Sequence, residues 1–186
     1  MDQLFAPWRI EWVARDDDQD ADDPDDDRCP FCALPDRDDD RESKIVARSP
    51  HSFVILNNYP YAPGHVMVIP YRHTGEFAAL SDAELLDHAR LKSKTLAALD
   101  AAFDPDGCNA GENLGGSAAG GSIDDHLHTH VVPRWNGDTN FMPVISDTKV
   151  LVQALDDSYD QLHEAFAGLG GAAVDGSDDA VYFELD

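Results

Sequence analysis

Three histidines recur at every second position in the segment Asp125-His-Leu-His-Thr-His-Val-Val-Pro-Arg134. Side chains two residues apart in a strand point to the same face, so His126, His128 and His130 are predicted to share one. A glycine-rich run, Gly115-Gly-Ser-Ala-Ala-Gly-Gly-Ser122, lies just before them, and the backbone N–H groups of such a loop can bind phosphate oxygens. An imidazole nucleophile beside a phosphate site favours phosphoryl or nucleotidyl transfer through a covalent histidine intermediate.

A second chemical motif is Cys29-Pro-Phe-Cys32. Its spacing is typical of a metal knuckle, and a tetrahedral zinc site would need two further nitrogen or sulfur ligands. A Cys-x-x-Cys pair also suits a redox role, but no thioredoxin-like βαβ pattern surrounds this one. The third cysteine, Cys108, is predicted to be a buried apolar residue.

The elements that must position these motifs can be predicted from apolar patterns. A capping box, Ser81-x-x-Glu84, begins a helix that runs to Phe103, and a second amphipathic helix is predicted over 148–167. Strands that come mostly in sequence favour an α+β protein with an antiparallel sheet. The predicted strands cover 44–48, 51–57, 64–70, 108–114 and 125–133, and a short edge strand is predicted within 181–185.

On these motifs the chain resembles the histidine-triad family, whose signature is His-x-His-x-His followed by apolar residues. The stretches Leu56-Asn-Asn-Tyr-Pro-Tyr-Ala-Pro-Gly-His65, Val68-Ile-Pro-Tyr-Arg-His73 and 126–141 resemble a subgroup of hydrolases and phosphorylases of diadenosine tetraphosphate. The resemblance implies the α+β histidine-triad fold, with an antiparallel sheet of about five strands and two main helices, and a homodimer. Three regions are expected: an N-terminal segment with an acidic loop over 1–28, the domain over 29–168, and an acidic tail over 169–186.

The resemblance also implies a catalytic role for each triad histidine. His128 would attack the α-phosphorus and carry the nucleotidyl group as a phosphoramidate, while its other ring nitrogen donates to the backbone carbonyl of His126. His130 would protonate the leaving phosphate oxygen. His65 is assigned to packing. The positions that the resemblance assigns to the substrate are Asn57 on the ribose, and Asn113, Gly120, Gly121 and Ser122 at the phosphates.

For the cysteine pair, the resemblance implies a zinc site completed by two histidines. By position these are His73 and His126, so the expected ligands are Cys29, Cys32, His73 and His126. A structural zinc there would clamp the segment that carries the nucleophile two residues away. A divalent ion such as magnesium could neutralise part of the charge of the substrate polyphosphate.

Charge limits the partners of the chain. Asp and Glu total 37 against 13 Lys and Arg, a formal net charge of −24, so no basic stripe is available for nucleic acid or an anionic membrane. No apolar run approaches the ~18 residues of a membrane span, and the start lacks a basic signal region, so a cytoplasmic location is expected. The surplus of Asp predicts adaptation to high salt, where screening shortens the Debye length to ~3 Å at 1 M. The alternative is a merely acidic protein adapted to ordinary salt.

The predicted function is a nucleotidyl hydrolase or transferase that acts on dinucleoside polyphosphates, with diadenosine tetraphosphate as the favoured substrate. Hydrolysis and phosphorolysis both stay open. One alternative is nucleotidyl transfer like that of a hexose-1-phosphate uridylyltransferase, but such enzymes resemble a His-Pro-His-x-Gln pattern and this chain has Thr129 and His130. The other is a non-catalytic nucleotide-binding module, which would need neither a nucleophile nor a leaving-group acid.

Overall fold

The computed structural model describes residues 28–114, 123, 125–138, 154–176 and 178–185. The N-terminal segment to residue 27, the whole of the predicted phosphate loop over 115–122 and the start of the predicted second helix lie outside these residues. In chain order the described elements are helix α1 (Pro30–Ala33), strands β1 (Ile45–Arg48), β2 (Ser52–Leu56) and β3 (Val66–Pro70), helix α2 (Asp82–Phe103), strands β4 (Gly107–Glu112) and β5 (Thr129–Arg134), helix α3 (Leu155–Ala167), and strands β6 (Ala172–Ala173) and β7 (Val181–Phe183).

The seven described strands form one sheet in the order β4-β5-β3-β2-β1-β7-β6. The α+β class is confirmed, but two details of the expected sheet are wrong. It has seven strands rather than about five, and it is mixed, because β7 runs parallel to β1 while the other neighbours are antiparallel. Both differences come from 169–185, the stretch expected as an acidic tail with a short edge strand within 181–185. A strand does form there, but it lies inside the sheet, and β6 forms the edge. The alternating Val181 and Phe183 are buried and give β7 an apolar face.

The two faces of the sheet are covered differently. β2 and β3 are buried along their whole length, so both of their faces lie against other side chains. Helices α2 and α3 cover one face, where Leu91, Leu99 and Phe166 join the main apolar cluster. We call the opposite face the site face. It carries a smaller apolar cluster of Phe31, Ile45, Phe53, Ile55, Met67, Ile69 and Ala180.

Helix α2 begins and ends where the sequence predicts. The Ser81 hydroxyl accepts from the backbone N–H of Glu84, and the Glu84 carboxylate accepts from the backbone N–H of Ser81 at 2.7 Å. This capping box satisfies donors that the first turn would otherwise leave without partners. The helix ends before Asp104, whose φ of 46° breaks the helical path. None of the described helices combines the length and apolar character that a bilayer span requires.

Strand β5 begins later than the sequence predicts. The strand expected from residue 125 starts at Thr129, so His126 and His128 precede it. The pairing of β3 with β5 stops at Val68 and Thr129, and the next carbonyl groups bind other partners. The Pro70 carbonyl lies 2.8 Å from the His126 imidazole, and the backbone N–H of Leu127 donates to Thr74 at 2.7 Å. The His126 side chain and the loop at Thr74 thus replace the strand-to-strand hydrogen bonds at this point.

Candidate active site

The three triad histidines lie together on the site face. The rings of His128 and His130 have centroids 5.0 Å apart, and His126 and His128 both contact the Phe31 ring. On the opposite face, the Thr129 hydroxyl is 2.8 Å from the His88 ring and donates to Glu112 at 2.8 Å. The alternation predicted from the sequence therefore holds for the side chains, although only part of the segment is a regular strand.

One hydrogen bond fixes the tautomer of His128. Its Nδ1 is 2.9 Å from the backbone oxygen of His126, and because a carbonyl can only accept, Nδ1 carries the proton. The lone pair of the neutral ring is therefore on Nε2. A neutral imidazole whose Nε2 lone pair is available can act as a nucleophile.

His130 receives its tautomer from His65. The backbone N–H of Tyr61 donates to His65 Nδ1 at 3.0 Å, so the proton of neutral His65 is on Nε2. That Nε2 lies 2.9 Å from His130 Nδ1, which must accept, and neutral His130 then carries its own proton on Nε2. The pair therefore presents an N–H donor at His130 beside the nucleophilic nitrogen of His128.

His126 has a different task from the other two. Its Nε2 donates to the Pro70 carbonyl at 2.8 Å, so the lone pair is on Nδ1, which faces Cys29 at 3.4 Å and Cys32 at 3.6 Å. Burial lowers the pKa of His126 and favours the neutral ring. Cys29, Cys32, His73 and His126 together form a possible metal-binding group whose ligand atoms all lie within 4.8 Å of one another.

The spacing of this group fits a tetrahedral metal. With metal–sulfur and metal–nitrogen bonds of about 2.3 and 2.05 Å, a tetrahedron has sulfur–nitrogen edges of about 3.6 Å. The distances from Cys29 and Cys32 to His126 Nδ1 are 3.4 and 3.6 Å, and Cys32 lies 3.3 Å from His73 Nδ1. The other nitrogen of His73 is 3.3 Å from the Asp125 carboxylate, an outer partner that would orient the ring.

The thiols need a cation to become ligands. Burial raises the pKa of Cys29 to about 11, so the thiol holds its proton at neutral pH. A metal ion would displace that proton and bind the thiolate, which makes affinity depend on pH. The geometry therefore matches metal binding better than an isolated pair of thiols.

Comparison with known proteins places this geometry in a family. The HIT domain family matches residues 39–137. The chain is also 39% identical over 163 residues to a Mycobacterium tuberculosis protein named AP-4-A phosphorylase, an alignment that covers 85% of this chain and 80% of the relative. The chain belongs to the histidine-triad family. Together with the relatives' names, this membership makes the protein an enzyme of that family.

Two other proteins are similar to this chain, one in sequence and one in structure. The asymmetrical bis(5'-nucleosyl)-tetraphosphatase of Schizosaccharomyces pombe is 31% identical over 96 residues, 52% of each chain. A crystal structure of a Zn-bound histidine triad family protein from Mycobacterium smegmatis has a TM-score of 0.59 and 27% identity, covering 75% of this chain and 93% of that one. The histidine-triad fold predicted from the sequence is confirmed.

The residue that sequence reasoning missed in this histidine-triad site is His65. The sequence predicts packing for His65, and its ring is fully buried and stacks on Tyr61 with centroids 4.7 Å apart, but the ring also contacts His130. Gly64 makes this approach possible because its φ is +73° and a Cβ there would lie 2.7 Å from Cδ2 of Phe103. A Gly-His pair closing a Pro-rich turn was the signal that the sequence offered.

The substrate positions are only partly described. Asn57 lies just after β2, where its Oδ1 accepts from the backbone N–H of Tyr59 at 2.8 Å and its amide nitrogen is 3.5 Å from the sulfur of Met67. The amide N–H₂ is thus the part of Asn57 that can still donate to a ligand. Asn113 follows β4 and is half-buried. The predicted phosphate residues Gly120, Gly121 and Ser122 lie outside the described residues.

Proposed function

We propose that this histidine-triad enzyme cleaves dinucleoside polyphosphates, with diadenosine tetraphosphate as its substrate, through a nucleotidyl intermediate on His128. One observation carries the proposal. The hydrogen bond from His128 Nδ1 to the His126 carbonyl leaves the Nε2 lone pair beside the N–H donor of His130, at a ring separation of 5.0 Å. The names of the relatives from M. tuberculosis and S. pombe support the substrate class.

In the first step, Nε2 of His128 attacks the α-phosphorus of the substrate. A nitrogen–phosphorus bond forms, the bond from that phosphorus to the bridging oxygen breaks, and ATP leaves with the electron pair. His130 supplies a proton to the departing oxygen, and general acid catalysis of this kind accelerates a reaction step by about 10²–10⁴. The developing positive charge on His128 is stabilised by the carbonyl of His126, which accepts its Nδ1 proton.

In the second step an oxygen nucleophile removes AMP from His128. The 39% identical relative is named a phosphorylase, so we favour inorganic phosphate as the acceptor. Attack by phosphate on the phosphorus of the intermediate breaks the nitrogen–phosphorus bond, returns the lone pair to His128 and forms ADP. Attack by water would release AMP instead. His130, which gave up its own proton in the first step, would take the proton of the incoming nucleophile.

We further propose that the Cys29, Cys32, His73 and His126 group holds a structural zinc ion. The sulfur–nitrogen distances and the orienting contacts of the two histidines support this assignment, and so does the Zn-bound relative from M. smegmatis. Zinc with four protein ligands contributes folding energy and has no open position for substrate. In this chain the four ligands join the segment after Arg28 to the segment that precedes β5.

The test is product analysis with diadenosine tetraphosphate, with and without inorganic phosphate. ADP and ATP in the presence of phosphate are expected, AMP and ATP in either condition would indicate hydrolysis, and no turnover would favour a nucleotide-binding module. His128→Gly should lose turnover of diadenosine tetraphosphate. It should still convert adenosine 5′-phosphorimidazolide and phosphate to ADP, because that reagent supplies the missing nitrogen–phosphorus bond.

The matched control is His51→Ala, which removes an exposed imidazole from the turn between β1 and β2. Its turnover should equal that of the wild type. A His128→Gly variant with wild-type turnover of diadenosine tetraphosphate would refute the covalent mechanism.

Three statements about setting and assembly stay predictions. Sedimentation tests the expected homodimer. A dependence of KM on magnesium tests an ion on the polyphosphate, and cell fractionation tests a cytoplasmic location.

A further inference from the structure

The side chain between the two cysteines reaches the histidines of the triad. Phe31 lies in helix α1, flanked in sequence by Pro30 and Cys32, and only 6% of its surface is exposed. Its ring belongs to the apolar cluster on the site face. The backbone on either side is tied to the ligand cysteines, so the position of this ring depends on the metal-binding group.

The Phe31 ring contacts two imidazoles at once. It forms a T-shaped pair with His126, with centroids 5.6 Å apart and an interplanar angle of 87°, and a second such pair with His128 at 5.3 Å and 62°. Such edge-to-face contacts are favourable beyond the apolar area that they bury. They also restrict where each imidazole plane can lie.

His128 needs that restriction. Its Nδ1 hydrogen bond fixes one point of the ring, but the terminal torsion of a histidine has a broad energy profile and a single hydrogen bond leaves the ring free to tilt. Phe31 meets His128 at 5.3 Å, and the His130 ring lies 5.0 Å from it at 76°. Two ring contacts and one hydrogen bond together set the direction of the Nε2 lone pair.

We propose that Phe31 is a positioning residue that couples the metal-binding group to the nucleophile. Metal binding at Cys29 and Cys32 holds helix α1 in place, helix α1 holds the Phe31 ring, and the ring holds His128 in line with the α-phosphorus. The inference rests on the proposed function of His128. Phe31, the third residue of the Cys-Pro-Phe-Cys knuckle, thus has a part in the reaction, and metal binding by itself does not require that part.

The first test replaces Phe31 by Leu and, to keep more volume, by Met. We expect kcat to fall about 10- to 100-fold, since misplacing a reacting group by ~1 Å costs about that much, while KM changes by less than about threefold. The matched control is Phe53→Leu, in the same apolar cluster and fully buried. Its ring stacks on Tyr71 and, within the described part of the chain, makes no ring contact with a triad histidine. This variant should lose stability but keep kcat.

A second measurement does not use activity. In the wild type, the carbon-bound ring protons of His128 lie near an aromatic ring, so their NMR chemical shifts should carry a ring-current contribution. Phe31→Leu and Phe31→Met should both remove this contribution, and Phe53→Leu should not. Unchanged His128 shifts in both Phe31 variants would overturn the inference whatever the enzyme does to its substrate.

The third test measures the coupling itself. Removing the metal by chelation should lower kcat of the wild type and move the His128 ring shifts. It should do both less in Phe31→Leu, where the link through Phe31 is absent and only the link through the His126 backbone remains. Equal effects of chelation in the two proteins would refute the coupling. If the wild type failed to turn over diadenosine tetraphosphate, the proposed function would fall, and the effect of chelation on the His128 ring shifts, compared with and without Phe31, would still decide whether Phe31 couples the two sites.

Discussion

Removing the His65 imidazole tests whether the hydrogen-bonded pair of His65 and His130 sets the proposed acid for the leaving group. In His65→Leu, Nδ1 of His130 loses the donor that now lies 2.9 Å away, and the His130 proton can move to Nδ1. A hydrogen bond contributes about 0.5–1.5 kcal/mol net. At 1.4 kcal/mol per factor of ten, kcat should fall roughly 2- to 12-fold through the change of tautomer alone.

The fall in kcat of a His65 variant has an upper limit. His130→Ala removes the proposed acid itself and should cost about 10²–10⁴, so we expect every His65 variant to lose less than His130→Ala. His65→Gln is the matched control. Its side-chain amide can accept from the Tyr61 N–H and donate toward His130, so it should keep more activity than His65→Leu.

The assay compares two substrates whose leaving groups differ in their need for a proton. Diadenosine tetraphosphate expels a phosphate oxygen that benefits from a proton, whereas the 4-nitrophenyl ester of AMP expels a phenolate that needs none. The His65→Leu defect in the nucleotidylation step, measured in single turnovers, should be present with the first substrate and nearly absent with the second. An equal defect with both substrates would show that His65 acts on structure and not through the proton of His130.

Four more predictions follow from the described contacts. Burial lowers the pKa of His88 to about 4, below its ordinary 6.5, so stability should be lost as pH falls from 6.5 to 4; His88→Gln should recover part of that loss, at most about 3 kcal/mol, in acid unfolding curves. Gly64→Ala should cost about 2–4 kcal/mol and lower Tm, because φ is +73° and Phe103 occupies the Cβ position; an unchanged Tm would contradict this. Cys29→Ser should lower both the zinc content by metal analysis and Tm, and a variant that kept its stability would argue against a structural ion. Potassium chloride from 0.1 to 1 M should raise Tm and lower KM, because both self-repulsion at −24 and repulsion of the polyphosphate are screened; a flat response would refute adaptation to high salt.

Local patterns in the sequence predicted local structure well. The capping box at Ser81 and Glu84 begins helix α2 as expected, and alternation correctly placed the triad side chains on one face. Both features depend on residues within a few positions of each other, where backbone geometry leaves few choices. The start of β5 was misplaced because it depends on Pro70 and Thr74, whose partners alternation cannot reveal.

Contacts between distant residues were predicted only where family resemblance supplied them. The metal group joins Cys29 to His126 across 97 positions, and the resemblance named its members although spacing gave only the cysteine pair. No pattern indicated that His65 meets His130 or that β7 lies parallel to β1. Such pairings depend on how the whole chain closes around its core, and several arrangements satisfy the same apolar periodicity.

Because β7 pairs with β1, the sheet is incomplete until residues 181–183 have been synthesised. The residues matched to the HIT domain end at 137, but Leu162, Phe166 and Phe183 belong to the same buried cluster as the earlier strands. A nascent chain that has not reached β7 has an open edge at β1 and an uncovered apolar surface, two features that promote aggregation and chaperone binding. Prematurely terminated chains therefore expose the open strand edge and the apolar surface that chaperones bind. Chains that extend through β7 bury both.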